Sequence, residues 1–218
     1  MSEERIEVDG IPANLYAATD ADALLLLGHG GAHSKDGRRF VDLSRQYAEQ
    51  TGLAVVCIDA VDHGERTPPK SSPGIPREWH SNAIDPMVHD WRRTAEALSS
   101  IGPAVAYVGF SMGAIFGLPT VAAMPSMKAA VFVVGGVPTG GGIDDPPLRP
   151  LLLRAASQLE HVPVLMLNKT EDEVFSTEGT QAVFDAIPGR RKRLVFCEGD
   201  HDDWPTELIR ASVTFINQ

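Results

Sequence analysis

The sequence predicts an α/β protein with one mostly parallel sheet and helices on both of its faces. Short, continuous apolar runs, typical of strands that are buried on both sides, recur along the chain. They lie at residues 24–27, 53–58, 104–108, 129–134, 164–167 and 194–196. Helical patterns with one apolar face separate most of these runs. Strands and helices that alternate in this way form crossovers, which place the strands side by side in a parallel sheet.

The chain begins with the pattern of a β-hairpin and continues to an amphipathic helix. Alternating residues at 5–8 are followed by the turn pair Asp9-Gly10, and an extended pattern resumes at 13–17. The helix follows the first buried run, and Gly52 is its expected end. Its apolar face is formed by Phe40, Leu43, Tyr47 and Ala48. We interpret this face, and those of the later helices, as core packing.

Three further helical patterns follow. Two of them begin behind an Asp-Pro pair, at 85–86 and at 145–146, and their apolar stripes cover 87–98 and 148–159. In the first, the Asp is the expected N-cap and the Pro occupies the first turn. The last pattern covers 208–216.

Two long loops are expected to leave the carboxyl ends of strands, the edge at which open α/β sheets bind ligands. The loop at 63–85 is rich in Pro and Ser, and the loop at 135–147 is rich in Gly and Pro. The second loop is too short to form a domain of its own. The sequence therefore predicts a minimal lid or none.

Composition limits the class of protein. The length of 218 residues predicts a single domain over 1–218, and 43% apolar and 22% charged residues are ordinary globular usage. The formal net charge of −10 argues against a nucleic-acid partner, which normally requires a basic surface. No apolar stretch reaches the roughly 18 residues of a membrane span. We therefore expect neither nucleic-acid binding nor membrane association.

The N-terminal segment and the cysteines indicate a cytoplasmic protein. The segment MSEERIEVDG carries acidic residues and lacks the apolar core of a signal peptide. Two cysteines, Cys57 and Cys197, lie in predicted strands and are too few for a disulfide framework. The sequence leaves the oligomeric state open.

The strongest chemical signal is the motif Gly109-Phe110-Ser111-Met112-Gly113, directly after a buried run. A sharp turn from strand to helix projects a serine hydroxyl out of the sheet, and its tight backbone leaves no room for side chains two positions away. The helix N-terminus behind the serine favours developing negative charge. An ordinary glycine-lined turn is the alternative interpretation of the motif.

A second glycine-rich segment, Leu27 to His33, lies at the end of the first buried run. Backbone N–H groups at such a position can stabilise an oxyanion. A plain loop or half of a phosphate cradle would have a similar composition. The segment lacks the Lys-Ser/Thr pair of a P-loop and the GxGxxG of a dinucleotide fold, so a nucleotide-binding protein is disfavoured.

The order of these elements resembles the α/β-hydrolase family over nearly the whole chain. The residues that carry the resemblance are His29-Gly30-Gly31, the motif at 109–113, a later Asp and a final His. The segment DAVDHGER at 59–66 resembles, more narrowly, dienelactone-hydrolase-like and small carboxylesterase members. The family implies an α/β-hydrolase fold, with eight strands of which the second is antiparallel. Dienelactone hydrolases proper use a cysteine nucleophile, so the serine here argues against dienelactone itself as substrate.

The resemblance implies a role for each matching residue. Ser111 matches the nucleophile, and the family order of nucleophile, acid and histidine places the other two members later in the chain. Gly31 and Met112 match the positions whose N–H groups form the oxyanion hole.

The acid is expected just after the strand at 164–167, in a segment with three carboxylates. We favour Asp172, because the family pattern places an Asp two residues before an apolar residue, here Val174. Glu171 and Glu173 remain alternatives.

The histidine is expected after the last strand, which selects His201. We expect His29 to hold its own loop, and His63 to be structural support rather than a ligand. His33 either lines the pocket or faces water. We expect no metal, because no local spacing brings several ligands together, and no cofactor.

These residues predict a serine hydrolase that cleaves carboxylic esters of small or medium size through an acyl-enzyme. Phe110 and Trp79 are candidate substrate contacts, together with the loop at 135–147 and the helix at 148–159. The alternatives are a thioesterase, a lactone or small-peptide hydrolase, and a cofactor-free haloperoxidase. A catalytically silent binding protein of the same fold is the alternative from another class.

Overall fold

The computed structural model describes residues 1–67, 81–141, 143 and 145–218, and an eight-stranded sheet forms its centre. The strands are β1 (Ser2–Val8), β2 (Ile11–Ala17), β3 (Leu24–Gly28), β4 (Ala54–Ile58), β5 (Ala104–Phe110), β6 (Ala129–Val133), β7 (Val164–Lys169) and β8 (Lys192–Cys197). Their order in the sheet is β1-β2-β4-β3-β5-β6-β7-β8.

The direction of the strands confirms the predicted architecture. β2 pairs antiparallel with both β1 and β4, and all pairs from β4 to β8 are parallel. The parallel strands therefore end at one edge of the sheet, where the segments that follow them meet. The predicted hairpin is β1 and β2, and its turn is formed by Asp9 and Gly10, both of which have positive φ.

Helices cover both faces of the sheet. They are α1 (Arg38–Thr51), α2 (Ile84–Ala97), α3 (Met112–Ala122), α4 (Leu148–Ala156), α5 (Thr177–Ala186) and α6 (Thr206–Ile216). α1 and α6 pack on one face, and α2 to α5 contribute to the core on the other. Within the part of the chain that the structure describes, no helix is long and apolar enough to cross a membrane.

The continuous apolar runs are explained by this double coverage. In β3, Leu24 and Leu26 belong to the core under α2 to α5, whereas Leu25 and Leu27 belong to the core under α1 and α6. Successive side chains of a strand point to opposite faces. A strand between two layers of helices therefore needs apolar residues at every position.

The helix boundaries agree with the sequence patterns in part. α1 ends as predicted, and Gly52 is in the left-handed conformation with φ 73°. α4 begins at Leu148 as predicted but ends at Ala156, before residue 159. The prediction that Asp85 is the N-cap of α2 is wrong, because a short 3₁₀ turn, Ser81–Ala83, leads directly into the helix and Ala83 takes that position. Asp85 and the following Pro lie inside the first turn, where a missing N–H costs nothing.

Close packing between α3 and β3 depends on one glycine at the start of α3 and one at the end of β3. A β-carbon at Gly113 would overlap the carbonyl of Gly28, and one at Gly28 would overlap the hydroxyl of Tyr107. The same hydroxyl donates a hydrogen bond to the Gly113 carbonyl over 2.8 Å. The segment that carries Ser111 is therefore held directly against the segment after β3.

We predict that Gly113→Ala lowers the free energy of unfolding by about 1–3 kcal/mol, because the added methyl group must push backbone away from backbone. Urea denaturation followed by circular dichroism measures this change. Gly189→Ala is the matched control, since its β-carbon would lie 3.1 Å from the Glu160 carbonyl oxygen, a contact that a small shift relieves. Equal stability of the two variants would contradict the packing described here.

Candidate active site

Three polar side chains from different strand ends meet at the carboxyl edge of the sheet. Ser111 directly follows β5, Asp172 follows β7, and His201 follows β8. All three are buried, with 3%, 8% and 9% of their surfaces exposed. Strands β5, β7 and β8 are parallel, so residues far apart in sequence come together at this edge.

The backbone at Ser111 has the geometry of a sharp turn between strand and helix. Its φ of 53° and ψ of −114° are unusual for a residue with a side chain. The Ser111 N–H donates to the Val133 carbonyl over 2.9 Å, and the Ser111 carbonyl accepts from the Ala114 N–H over 2.8 Å. These bonds hold the turn although its backbone is strained. The glycines at 109 and 113 are required here, since a β-carbon at either position would overlap backbone.

His201 lies between the other two side chains. Its Nε2 is 2.9 Å from Ser111 Oγ, and its Nδ1 is 2.9 Å from Asp172 Oδ2. A carboxylate accepts hydrogen bonds, so Nδ1 carries the hydrogen and donates to Asp172. In the neutral ring the lone pair is then on Nε2, where it faces the serine hydroxyl. This tautomer suits His201 to accept the hydroxyl proton.

Asp172 is held by the backbone that follows it. Its Oδ1 accepts hydrogen bonds from the Val174 and Phe175 N–H groups, each over 2.8 Å. Its Oδ2 remains for His201. Glu171 and Glu173 are exposed on either side, so Asp172 is the carboxylate of this segment that meets the histidine.

The two predicted oxyanion donors come from two segments that border Ser111. Met112 is the first residue of α3, and Gly31 lies in the loop after β3. Neither N–H donates a hydrogen bond to another described residue. The loop comes close to Ser111, since a β-carbon at Gly30 would lie 3.7 Å from Ser111 Cβ. Unpaired N–H groups next to a nucleophile are the donors that an oxyanion requires.

Comparison with known families agrees with this arrangement. The sequence model of the alpha/beta hydrolase family matches residues 24–214. The chain belongs to this family. No curated protein sequence matches the chain.

Several solved hydrolase-fold structures are similar over almost the full chain. A cold-adapted esterase from an Arctic intertidal metagenomic library, in complex with polyethylene glycol, is 27% identical with a TM-score of 0.82, and the match covers 99% of this chain and 92% of the esterase. TT1662 from Thermus thermophilus is 22% identical with a TM-score of 0.78, covering 99% and 96%. A dienelactone hydrolase from Anabaena variabilis is 19% identical with a TM-score of 0.70, covering 99% and 95%. The last two likenesses concern the fold.

An aromatic cluster of Phe40, Phe110 and Trp204 supports His201. From the sequence, only Phe110 was predicted to have a role in the site. Phe110 has no exposed surface and packs against Phe40 and Trp204, with ring centroids 5.7 and 4.7 Å away. The prediction that Phe110 contacts substrate is therefore wrong. The alternation of β5 directs its side chain into the core under α1 and α6. Trp79, the other predicted contact, lies outside the described residues.

Trp204 is a site residue that sequence analysis did not assign. Its Nε1 donates to the His201 carbonyl over 2.8 Å, and the Arg39 guanidinium lies 4.4 Å from the centroid of its ring. The signal in the sequence that could have identified Trp204 was its position three residues after His201. The loop after β6 also supports the site, because the Thr139 and Gly140 N–H groups donate to the Val174 carbonyl, next to Asp172.

His29 is neutral. It holds its own loop through hydrogen bonds, as predicted. Its Nδ1 donates to the Gly30 carbonyl over 2.9 Å, and its Nε2 accepts from the Ala60 N–H over 3.0 Å. Burial lowers the pKa of His29 to about 3. The unfolded chain binds a proton at this ring near pH 6.5, so the contribution of His29 to stability is present above that pH and is lost as the pH falls towards 3.

His33 is half-buried between Phe40 and Trp204, at ring centroid distances of 5.2 and 6.0 Å. A β-carbon at Gly30 would lie 3.3 Å from the His33 ring and 3.7 Å from Ser111 Cβ, so His33 is near Ser111. Burial lowers the pKa of His33, and the positive charge of Arg39 lowers it further.

We predict that Arg39→Gln raises the pKa of His33, because the variant removes a cation that disfavours the imidazolium. NMR titration of the His33 ring protons measures the change. Arg39→Lys keeps the charge and should keep the pKa low. Arg38→Gln removes an exposed cation whose partner is Asp42, and it should have no effect. A pKa that falls or stays constant in Arg39→Gln would show that Arg39 does not act on His33.

Proposed function

We propose that the protein is a serine esterase that hydrolyses carboxylic esters of small or medium size through an acyl-enzyme intermediate. The observation that carries this proposal is the continuous hydrogen-bonded chain from Ser111 through His201 to Asp172, with 2.9 Å at each step. Family membership and the likeness to the cold-adapted esterase support the same reaction class.

The first half-reaction forms the acyl-enzyme. His201 Nε2 accepts the proton of Ser111 Oγ while the oxygen forms a bond to the ester carbonyl carbon. The carbonyl π electrons move to the oxygen, and the resulting negative charge is stabilised by the Gly31 and Met112 N–H groups. When this intermediate collapses, the bond to the alcohol oxygen breaks, and His201 returns its proton to the leaving alcohol.

The second half-reaction repeats these steps with water. His201 accepts a proton from water as the water oxygen attacks the acyl carbon, and the bond to Ser111 Oγ then breaks with return of the proton to the serine. The carboxylic acid leaves and the free enzyme is restored. Asp172 acts throughout by holding the ring with Nδ1–H towards itself and by stabilising the imidazolium.

The electrostatic field of the site supports a transient negative charge. Ser111 is the N-cap of α3, whose N-terminus carries the positive end of the helix dipole. Because the three side chains are buried, these dipoles act with little screening by water.

We predict that Ser111→Ala reduces kcat for p-nitrophenyl butyrate by about 10⁴-fold or more, since no other oxygen can form the acyl-enzyme. Spectrophotometric release of p-nitrophenol measures this loss. Ser99→Ala, which removes an exposed hydroxyl, serves as the control and should keep full activity. A Ser111→Ala variant that retained a tenth of the activity would refute the proposal. A parallel series of thioesters and lactones ranks the substrate classes that the same residues can process.

We predict that Asp172→Asn reduces kcat by about 10³–10⁴-fold with little loss of stability. The amide oxygen can still accept from the Val174 and Phe175 N–H groups, but the amide nitrogen then faces His201 Nδ1 and favours the wrong tautomer. Glu171→Gln and Glu173→Gln change the neighbouring exposed carboxylates and should leave kcat unchanged. A larger loss in either control than in Asp172→Asn would move the role of the acid to that residue.

A further inference from the structure

Two loops at the carboxyl edge of the sheet are bonded closely to each other. The donor loop, residues 29–35, carries Gly31, and the β4 loop, residues 59–66, follows the neighbouring strand β4. The Lys35 N–H donates to Asp59 Oδ1 over 2.9 Å, and the Ala60 N–H donates to His29 Nε2 over 3.0 Å. The β4 loop thus contacts both ends of the donor loop.

The distal end of the donor loop is anchored by charge. The ammonium of Lys35 has no exposed surface and lies 2.6 Å from Asp36, 2.5 Å from Glu65 and 3.6 Å from Asp59. Burial opposes the charged form, but the hydrogen bonds to Asp36 and Glu65 outweigh burial and raise the pKa of Lys35. A buried ammonium with these partners is costly to move, so this end of the loop is fixed.

The centre of the donor loop is contacted by His63 from the β4 loop. The His63 side chain is buried, with Nε2 2.7 Å from the Gly31 carbonyl oxygen and Nδ1 2.8 Å from the Val61 carbonyl oxygen. A carbonyl oxygen accepts hydrogen bonds only, so the ring nitrogen that bonds it carries a hydrogen. A neutral ring has one N–H, which we place on Nε2 because Nε2 makes the shorter of the two contacts; a protonated ring donates to both carbonyls. The bond to Gly31 therefore runs from the His63 Nε2–H to the carbonyl.

We propose that His63 is a positioning residue that fixes the peptide group after Gly31 and thereby restricts rotation of the Gly31 backbone, so that the Gly31 N–H stays aimed at the reacting oxygen. The peptide group before Gly31, which contains this N–H, is held through the Gly30 carbonyl, which accepts from His29 Nδ1 and the His33 N–H. Glycine has no side chain that restricts φ and ψ, so its peptide groups turn easily unless they are bonded. Among the described residues, His63 is the hydrogen-bond partner of the Gly31 carbonyl. This inference rests on the proposed function, in which the Gly31 N–H stabilises the oxyanion.

The variants His63→Gln and His63→Asn separate this role from general support of the fold. The amide nitrogen of Gln reaches about the position of Nε2, so it can donate to Gly31. The amide nitrogen of Asn reaches about the position of Nδ1, so it can donate to Val61 but not to Gly31. Both variants remove the ring, and both keep one donor.

We expect His63→Asn to lower kcat for p-nitrophenyl butyrate by about 10–100-fold with little change in KM. A misaimed donor loses transition-state stabilisation, and removing a donor entirely costs about 10²–10³-fold. His63→Gln should recover most of the activity that His63→Asn loses. His161→Asn replaces an exposed histidine away from the site and serves as the unaffected control. Thermal unfolding should give similar Tm values for the two His63 variants.

The amide resonance of Gly31 provides a readout that does not depend on turnover. In ¹⁵N-labelled protein, the Gly31 amide should shift in His63→Asn and return towards the wild-type position in His63→Gln. If hydrolysis proves independent of Ser111, the proposed function fails, and this readout still decides whether His63 positions Gly31. A Gly31 resonance that is unchanged in His63→Asn, or equal kcat values in the two His63 variants, would overturn the inference.

If His63→Asn does not fold, a measurement on the wild-type protein still tests the inference. A scalar coupling across the hydrogen bond, from His63 Nε2 to the Gly31 carbonyl carbon, is expected in protein labelled with ¹³C and ¹⁵N. The absence of this coupling, together with solvent-rate exchange of the Nε2 hydrogen, would also overturn the inference.

Discussion

The strained backbone at Ser111 is the constraint on which the rest of the site depends. A φ of 53° turns the chain from β5 directly into α3 and leaves the hydroxyl 2.9 Å from His201. The turn exists because two glycines let α3 lie against β3 and because the Ser111 N–H bonds to β6. Sheet, helix and Ser111 are therefore parts of one packed arrangement, whose stability compensates the local strain.

The other groups of the candidate site are held in the same way, by bonds to the backbone of neighbouring segments. Asp172 accepts from two N–H groups, Trp204 holds the His201 carbonyl, and His63 bonds the Gly31 carbonyl. Such bonds set orientations before a substrate binds, so little reorganisation is required during the reaction. Burial lowers the pKa of His29 to about 3, so this residue of the donor loop is neutral and adds no charge to the loop.

The sequence predicted the sheet, and it selected Ser111, Asp172 and His201, which the structure brings together, because both have strong local signals. Buried strands appear as apolar runs, and the motif around Ser111 has its required strand and helix on either side. The prediction for Phe110 failed because the face to which a strand residue points depends on register. Trp204 and the contact between His63 and Gly31 were not predicted, since they arise from contacts between distant segments. α5 was missed because its signals, a Ser176 cap and a short apolar face, are weak.

The central claim is that the Ser111 hydroxyl is an activated nucleophile that a substrate can reach. The most direct test is reaction with a fluorophosphonate, followed by mass spectrometry of the intact protein and its peptides. The account predicts one adduct per chain, located on Ser111, with no labelling of Ser111→Ala. A folded wild-type protein that remains unlabelled, or an adduct on another residue, would contradict it.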